Sequence, residues 1–71
     1  MLTGNSRLEE ARLHVAQGEQ RIADQQLRIV DLRMRDADTT SAAQILDQLR
    51  NTQRVMLLHL AFEEKEARRT D

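Results

Sequence analysis

Two histidines are the side chains best suited to chemistry near neutral pH, because imidazole is the one side chain whose unperturbed pKa lies there. His14 follows Glu10 by four residues, and His59 precedes Glu63 by four residues. A four-residue step places each pair on one face of a helix, where a carboxylate and an imidazole are ligands for a divalent cation. The spacing is not the Glu-x-x-His of helical-bundle metal sites. We therefore predict no metal site. The residues that come nearest to forming one are His14, Glu10, His59 and Glu63.

Catalysis has weaker support in the residue types. The chain has no cysteine and only two glycines, so thiol chemistry and a glycine-rich phosphate loop are absent from the sequence. Ser6 and Ser41 both lie where helix caps are expected, and neither has a base and an orienting group within its segment. We predict that the protein is not an enzyme and that it uses no cofactor.

Arginines are the next candidates, because Arg21, Arg28 and Arg35 recur every seven residues and would form a basic seam. Arg50 and Arg54 of the second half are expected near Arg28. The net charge is nevertheless −1, and Phe62 is the single aromatic residue available for stacking on bases. We expect no nucleic-acid binding, because carboxylates neutralise the seam at Asp24, Asp31, Asp36 and Asp47.

Composition indicates which elements must position these side chains. There is no proline and no tryptophan or tyrosine, and β-branched residues are few, so the sequence cannot supply the faces of a sheet. The longest apolar run, from Val55 to Phe62, is far shorter than the roughly 20 residues that span a bilayer. The first residues lack a basic segment followed by an apolar one, so we expect neither a secretory signal nor a membrane partner, and a cytoplasmic location.

Helical periodicity dominates two segments, in which apolar residues alternate at spacings of three and four. We predict helix 1 over about 6–37, a turn over 38–41, and helix 2 over about 42–68. Ser41 and Gln44 fit a capping box at the start of helix 2, and Thr40 is the alternative cap. A connection this short makes the helices antiparallel, so the predicted fold is all-α, a single helical-hairpin domain over 1–71. Its predicted core consists of Leu8, Val15, Ile22, Gln25, Ile29, Leu32, Leu46, Leu49, Gln53, Met56 and Leu60.

A register follows if the turn centres near Thr39. Gln25 then faces Gln53, so that two polar interruptions of the apolar stripes satisfy each other. Gly18 faces Leu60 or Phe62, whose bulk would explain a glycine inside a helix. The same register brings His14 near Glu63 and Glu64.

Each helix carries more apolar surface than one partner helix covers, and two helices alone make a poor core. We therefore predict a homo-oligomer, most simply a two-fold dimer forming a four-helix bundle, with a trimer or tetramer as alternatives. The predicted function is a self-associating structural or interaction module; the alternative is a regulatory adaptor that takes a heterologous helix on the same surface. The predicted interface residues are Leu13, Leu27, Val30, Met34, Val55, Leu57, Leu58 and Phe62.

The stretch from His14 to His59 resembles small uncharacterised bacterial helical-hairpin proteins. The resemblance rests on Gln17-Gly18-Glu19-Gln20-Arg21-Ile22-Ala23 in helix 1, on Asp38-Thr39-Thr40 at the turn, and on Leu46, Leu49 and Thr52-Gln53 in helix 2. It implies a helical hairpin of bacterial origin, and it carries over no functional residues because the group has no assigned activity. The chain departs from the group at Leu57-Leu58-His59-Leu60, where a more charged segment is usual.

Overall fold

Two long helices make up the structure, a computed structural model that describes the backbone of residues 3–69 and the side chains of residues 6–69. Helix α1 spans Thr3–Met34 and helix α2 spans Thr40–Arg69. They pack against each other as a hairpin, which confirms the predicted all-α fold. The molecule measures 54 × 18 × 12 Å. Its smallest dimension is about the diameter of one helix, so the hairpin is a single flat layer.

Helix α1 ends at Met34, three residues before the predicted end. Asp36 adopts a positive φ of 57°, a left-handed conformation that stops a helix and that aspartate tolerates better than most residues. The Ala37 N–H donates to the Leu32 carbonyl at 2.9 Å, and the Asp36 N–H donates to the Arg33 carbonyl at 3.0 Å. This pair of bonds is a Schellman motif, which satisfies the last carbonyls of the helix.

Helix α2 begins at Thr40, two residues before the predicted start. The Asp38 carboxylate accepts hydrogen bonds from the Thr40 N–H at 2.9 Å and from the Thr40 hydroxyl at 2.7 Å. These bonds, that from the hydroxyl above all, hold the pKa of Asp38 below its usual value. The Ala43 N–H then donates to the Thr39 carbonyl as the first bond of the helix. The predicted capping box at Ser41 and Gln44 and the alternative cap at Thr40 are therefore both wrong, because the helix already includes Thr40 and its N–H is bound by Asp38.

The core is one stripe from each helix. All eleven residues predicted for it are buried or half-buried, as are several neighbours on the same stripes. Three buried residues lie outside the predicted core list: Ala11 in α1, and Ala42 and Glu63, which continue the spacing of four and three in α2. Among the described residues no large side chain is fully buried, so the core along the seam between the two helices is thin.

The register differs from the predicted one by seven residues. Gln53 lies over Gly18, which was expected to face Leu60, and the Gln53 side-chain amide donates to the Val15 carbonyl at 2.9 Å. Gln25 donates separately to the Ala42 carbonyl at 3.0 Å, so the predicted pairing of the two glutamines is wrong. A slip of seven residues is one heptad, which returns the same positions to the seam. Apolar periodicity alone does not distinguish the two registers.

Candidate functional site

Exposed apolar side chains are the most extensive functional feature of the hairpin. All eight residues predicted to form an oligomer interface are exposed in the single chain, from 46% for Leu57 to 81% for Met34. Ile45 is also exposed, and we did not predict it as an interface residue. Nothing in one hairpin covers these side chains. Because exposed apolar clusters mark association surfaces, they are the first candidate site.

Six of these side chains follow the outer edge of a helix. On α1, Leu27 lies five positions after Ile22 of the core, a rotation of roughly 140° about the helix axis. On α2, Leu58 lies five positions after the buried Gln53. The α1 edge consists of Leu13, Leu27 and Met34, and the α2 edge consists of Val55, Leu58 and Phe62. Val30 lines a groove between the helices together with Leu46, and Leu57 lines a depression on α2 beside Leu58. Each edge points away from the seam, so the two edges lie on opposite sides of the hairpin.

Polar side chains occupy the two flat faces between the edges. Arg21 lines a groove on one face, and Arg33 and Arg50 line a groove of about 420 Å³ on the other face. The predicted basic seam is therefore divided, because Arg28 shares the face of Arg21 and not that of Arg50. Asp31 also neutralises part of it by an ion pair with Arg35 at 3.3 Å.

The groove beside Gly18 is lined in part by a buried polar side chain, Gln53. It has a volume of about 260 Å³, and His14, Arg21, Gly18 and Gln53 are among its lining residues. Gln53 is 7% exposed, and its Oε1 atom has no hydrogen-bond donor among the described residues. Oε1 points at the position that a Cβ on residue 18 would occupy. In glycine a Cα hydrogen occupies that position, so Oε1 accepts a weak C–H···O contact there.

The His and Glu cluster is not assembled as the predicted register required. His59 Nε2 lies 3.9 Å from Glu63 Oε2, whereas His14 lines the groove together with Met56. The neighbourhood expected between His14 and Glu63 is wrong because of the heptad slip. Within the described part of the chain, no three His, Asp or Glu side chains lie close enough together to hold a metal ion.

No relative assigns a role to these surfaces. Comparison of the chain with protein-family models, with curated proteins and with solved structures finds no match in any of the three. The resemblance to bacterial helical-hairpin proteins therefore stays a prediction. Over residues 3–69, neither helix contains a stretch long and apolar enough to cross a bilayer.

Proposed function

We propose that the protein is a non-enzymatic structural or interaction module whose hairpins self-associate through their exposed apolar edges. The observation that carries this proposal is the exposure of Leu27, Met34 and Leu58 at 68%, 81% and 73% in a single hairpin. Aligned apolar side chains of this exposure are covered in a stable assembly. The simplest closed assembly is a two-fold dimer of four helices.

The thinness of the core supports the same proposal. A chain of 71 residues without cysteine has neither disulfides nor a large interior to stabilise it. The hairpin is 12 Å thick, so its core is one seam between two helices. A second hairpin would add buried apolar area where the first has none.

Light scattering after size exclusion, over a dilution series from high micromolar to nanomolar concentration, tests the proposal. We expect the mass to approach twice the 8.2 kDa of the chain at the high end of the series. A folded species that keeps the monomer mass at every concentration would overturn it. A dimer that dissociates in the micromolar range would favour the adaptor function, because its edges would then be free for a heterologous helix.

A further inference from the structure

We propose that the outer face of α2 binds the surface of an anionic lipid bilayer, with the helix lying in the membrane plane and the α1 edge facing away. The outer face is the arc of α2 that points away from the seam over residues 54–69, and it includes the α2 edge. This inference goes beyond the proposed self-association and does not require it. We predicted no membrane partner because the apolar run is too short to span a bilayer, and a helix that lies on the surface does not need that length.

Four exposed cations share the outer face with the α2 edge. Lys65 follows Leu58 by seven residues and Arg69 follows Phe62 by seven, so heptad spacing places each cation in line with an apolar side chain. The other two cations lie seven residues before and after Ala61, on the neighbouring line. The four cations are Arg54, Lys65, Arg68 and Arg69.

The carboxylates of the same segment lie off this face. Glu63 is buried in the seam at 8% exposure, and Glu64 and Glu66 are half-buried, one on each flat face of the hairpin. Glu66 pairs with Arg69 at 3.6 Å, and the other three cations have no ion pair within the described part of the chain. Over residues 48–69 the charged groups of the outer face are therefore all positive.

The outward positions of α1 have the opposite sign. Over residues 9–34 they hold four exposed carboxylates and no cation, so charge is divided across the 18 Å width of the hairpin. The net charge of −1 conceals this division. An anionic bilayer attracts the α2 side and repels the α1 side, which selects one orientation of the hairpin. The four carboxylates are Glu9, Glu10, Asp24 and Asp31.

The shape and the apolar side chains of the outer face favour a lipid surface over other anionic partners. Leu58 and Phe62 are 73% and 55% exposed on a convex ridge, which a flat surface can contact along its length. In a bilayer the apolar side chains enter the boundary below the headgroups, and the long stems of Lys and Arg let their charges reach the lipid phosphates. Clusters of about four to eight Lys and Arg on an amphipathic helix are typical of binding to anionic lipid. A nucleic acid would set its phosphates against the leucine and the phenylalanine instead.

Co-sedimentation with lipid vesicles at low salt tests the proposal. We expect the protein to bind vesicles of phosphatidylglycerol, to release as salt rises, and to leave vesicles of phosphatidylcholine unbound. Equal binding to both lipids, or to neither, would overturn the inference. Binding to a DNA duplex without binding to the vesicles would also overturn it.

Two double variants test whether the outer face makes the contact. Each Lys or Arg near an anionic surface contributes about fivefold to binding, so Lys65→Gln with Arg68→Gln should weaken binding to phosphatidylglycerol about 25-fold. Arg21→Gln with Arg28→Gln removes the same charge from a flat face and should change binding by less than about threefold. All four side chains are exposed, and circular dichroism verifies that both variants fold. Equal losses in the two variants would contradict the inference, because the attraction would then come from the charge of the whole protein.

An introduced tryptophan reports which edge enters the lipid, because the chain has none of its own. With phosphatidylglycerol vesicles, Phe62→Trp should shift its fluorescence to shorter wavelength and gain protection from iodide quenching. Leu27→Trp, the matched change on the α1 edge, should show neither effect. Any other pattern would overturn the inference. A monomeric protein that shows the expected pattern would remove self-association and leave lipid binding in place.

Discussion

Gly18→Ala is the substitution that most directly probes how the hairpin sets its register. At an ordinary helical position this change stabilises a protein by about 1 kcal/mol, because alanine has the higher helix propensity. Here the three nearest atoms to the new Cβ all belong to the side-chain amide of Gln53. The Cβ would overlap Oε1 and lie 2.8 Å from Cδ, closer than such atoms approach. Gln53 must therefore move.

The cost of that movement exceeds the propensity gain. The amide loses its hydrogen bond to the Val15 carbonyl, and a buried donor left unsatisfied costs about 1–3 kcal/mol. Leaving a favoured rotamer adds about 1 kcal/mol. After the gain of about 1 kcal/mol from alanine is subtracted, we expect Gly18→Ala to destabilise the hairpin by about 1–3 kcal/mol.

A double-mutant cycle with Gln53→Ala separates the two effects. Without the glutamine the methyl group at residue 18 meets no amide, so Gly18→Ala should stabilise the Gln53→Ala variant by about 1 kcal/mol. The coupling between the two sites is then about 2–4 kcal/mol. Urea unfolding followed by circular dichroism measures it, at one fixed protein concentration so that self-association contributes equally. Equal stabilisation by Gly18→Ala in both backgrounds would refute the role assigned to Gln53.

Two predictions concern the turn. Asp36→Gly should stabilise the hairpin by about 0.5–1 kcal/mol, seen as a higher urea midpoint, because glycine adopts the positive φ without strain; an unchanged or lower midpoint would show that the aspartate side chain contributes to the turn. The pKa of Asp38 is lowered by folding from a value of 3.8, so its stabilisation is fully present above that pH and is lost as the pH falls through the folded pKa. The melting temperature of the wild type should accordingly exceed that of Asp38→Ala at pH 6 and approach it at pH 2, and a constant difference would contradict this assignment.

The sequence predicts which side of each helix a residue occupies, because heptad spacing determines rotation about the helix axis. Leu8 and Ile29 are buried, and Leu27 and Met34 are exposed, as their heptad positions require. The ends of the stripes were missed where the residue type was misleading: Glu63 continues the core spacing, but its charge argued against burial.

The sequence does not predict the axial register in the same way. The axial register depends on the length of the turn. That length is determined by Asp36, because its left-handed conformation ends helix α1. Asparagine and glycine are the stronger signals for that conformation. The sequence Asp-Ala-Asp-Thr-Thr-Ser therefore does not show which of its residues ends the helix. The clearest sequence signal for the register was Gly18, since a glycine within a helix indicates a close approach, and the approaching group was Gln53 instead of a leucine.

The slip of one heptad affects the predicted sites unequally, and the reason lies in what each site needs. A site built across the seam, such as the His14 and Glu63 cluster or the Gln25 and Gln53 pair, requires the correct axial register, so a slip of seven residues separates its members. A surface built along one helix requires only the correct rotation, which a slip of seven leaves unchanged. The exposure of the α1 and α2 edges is therefore independent of the register. The proposed self-association uses surfaces that lie along one helix. It therefore requires only that the predicted rotation of each residue about its helix axis is correct.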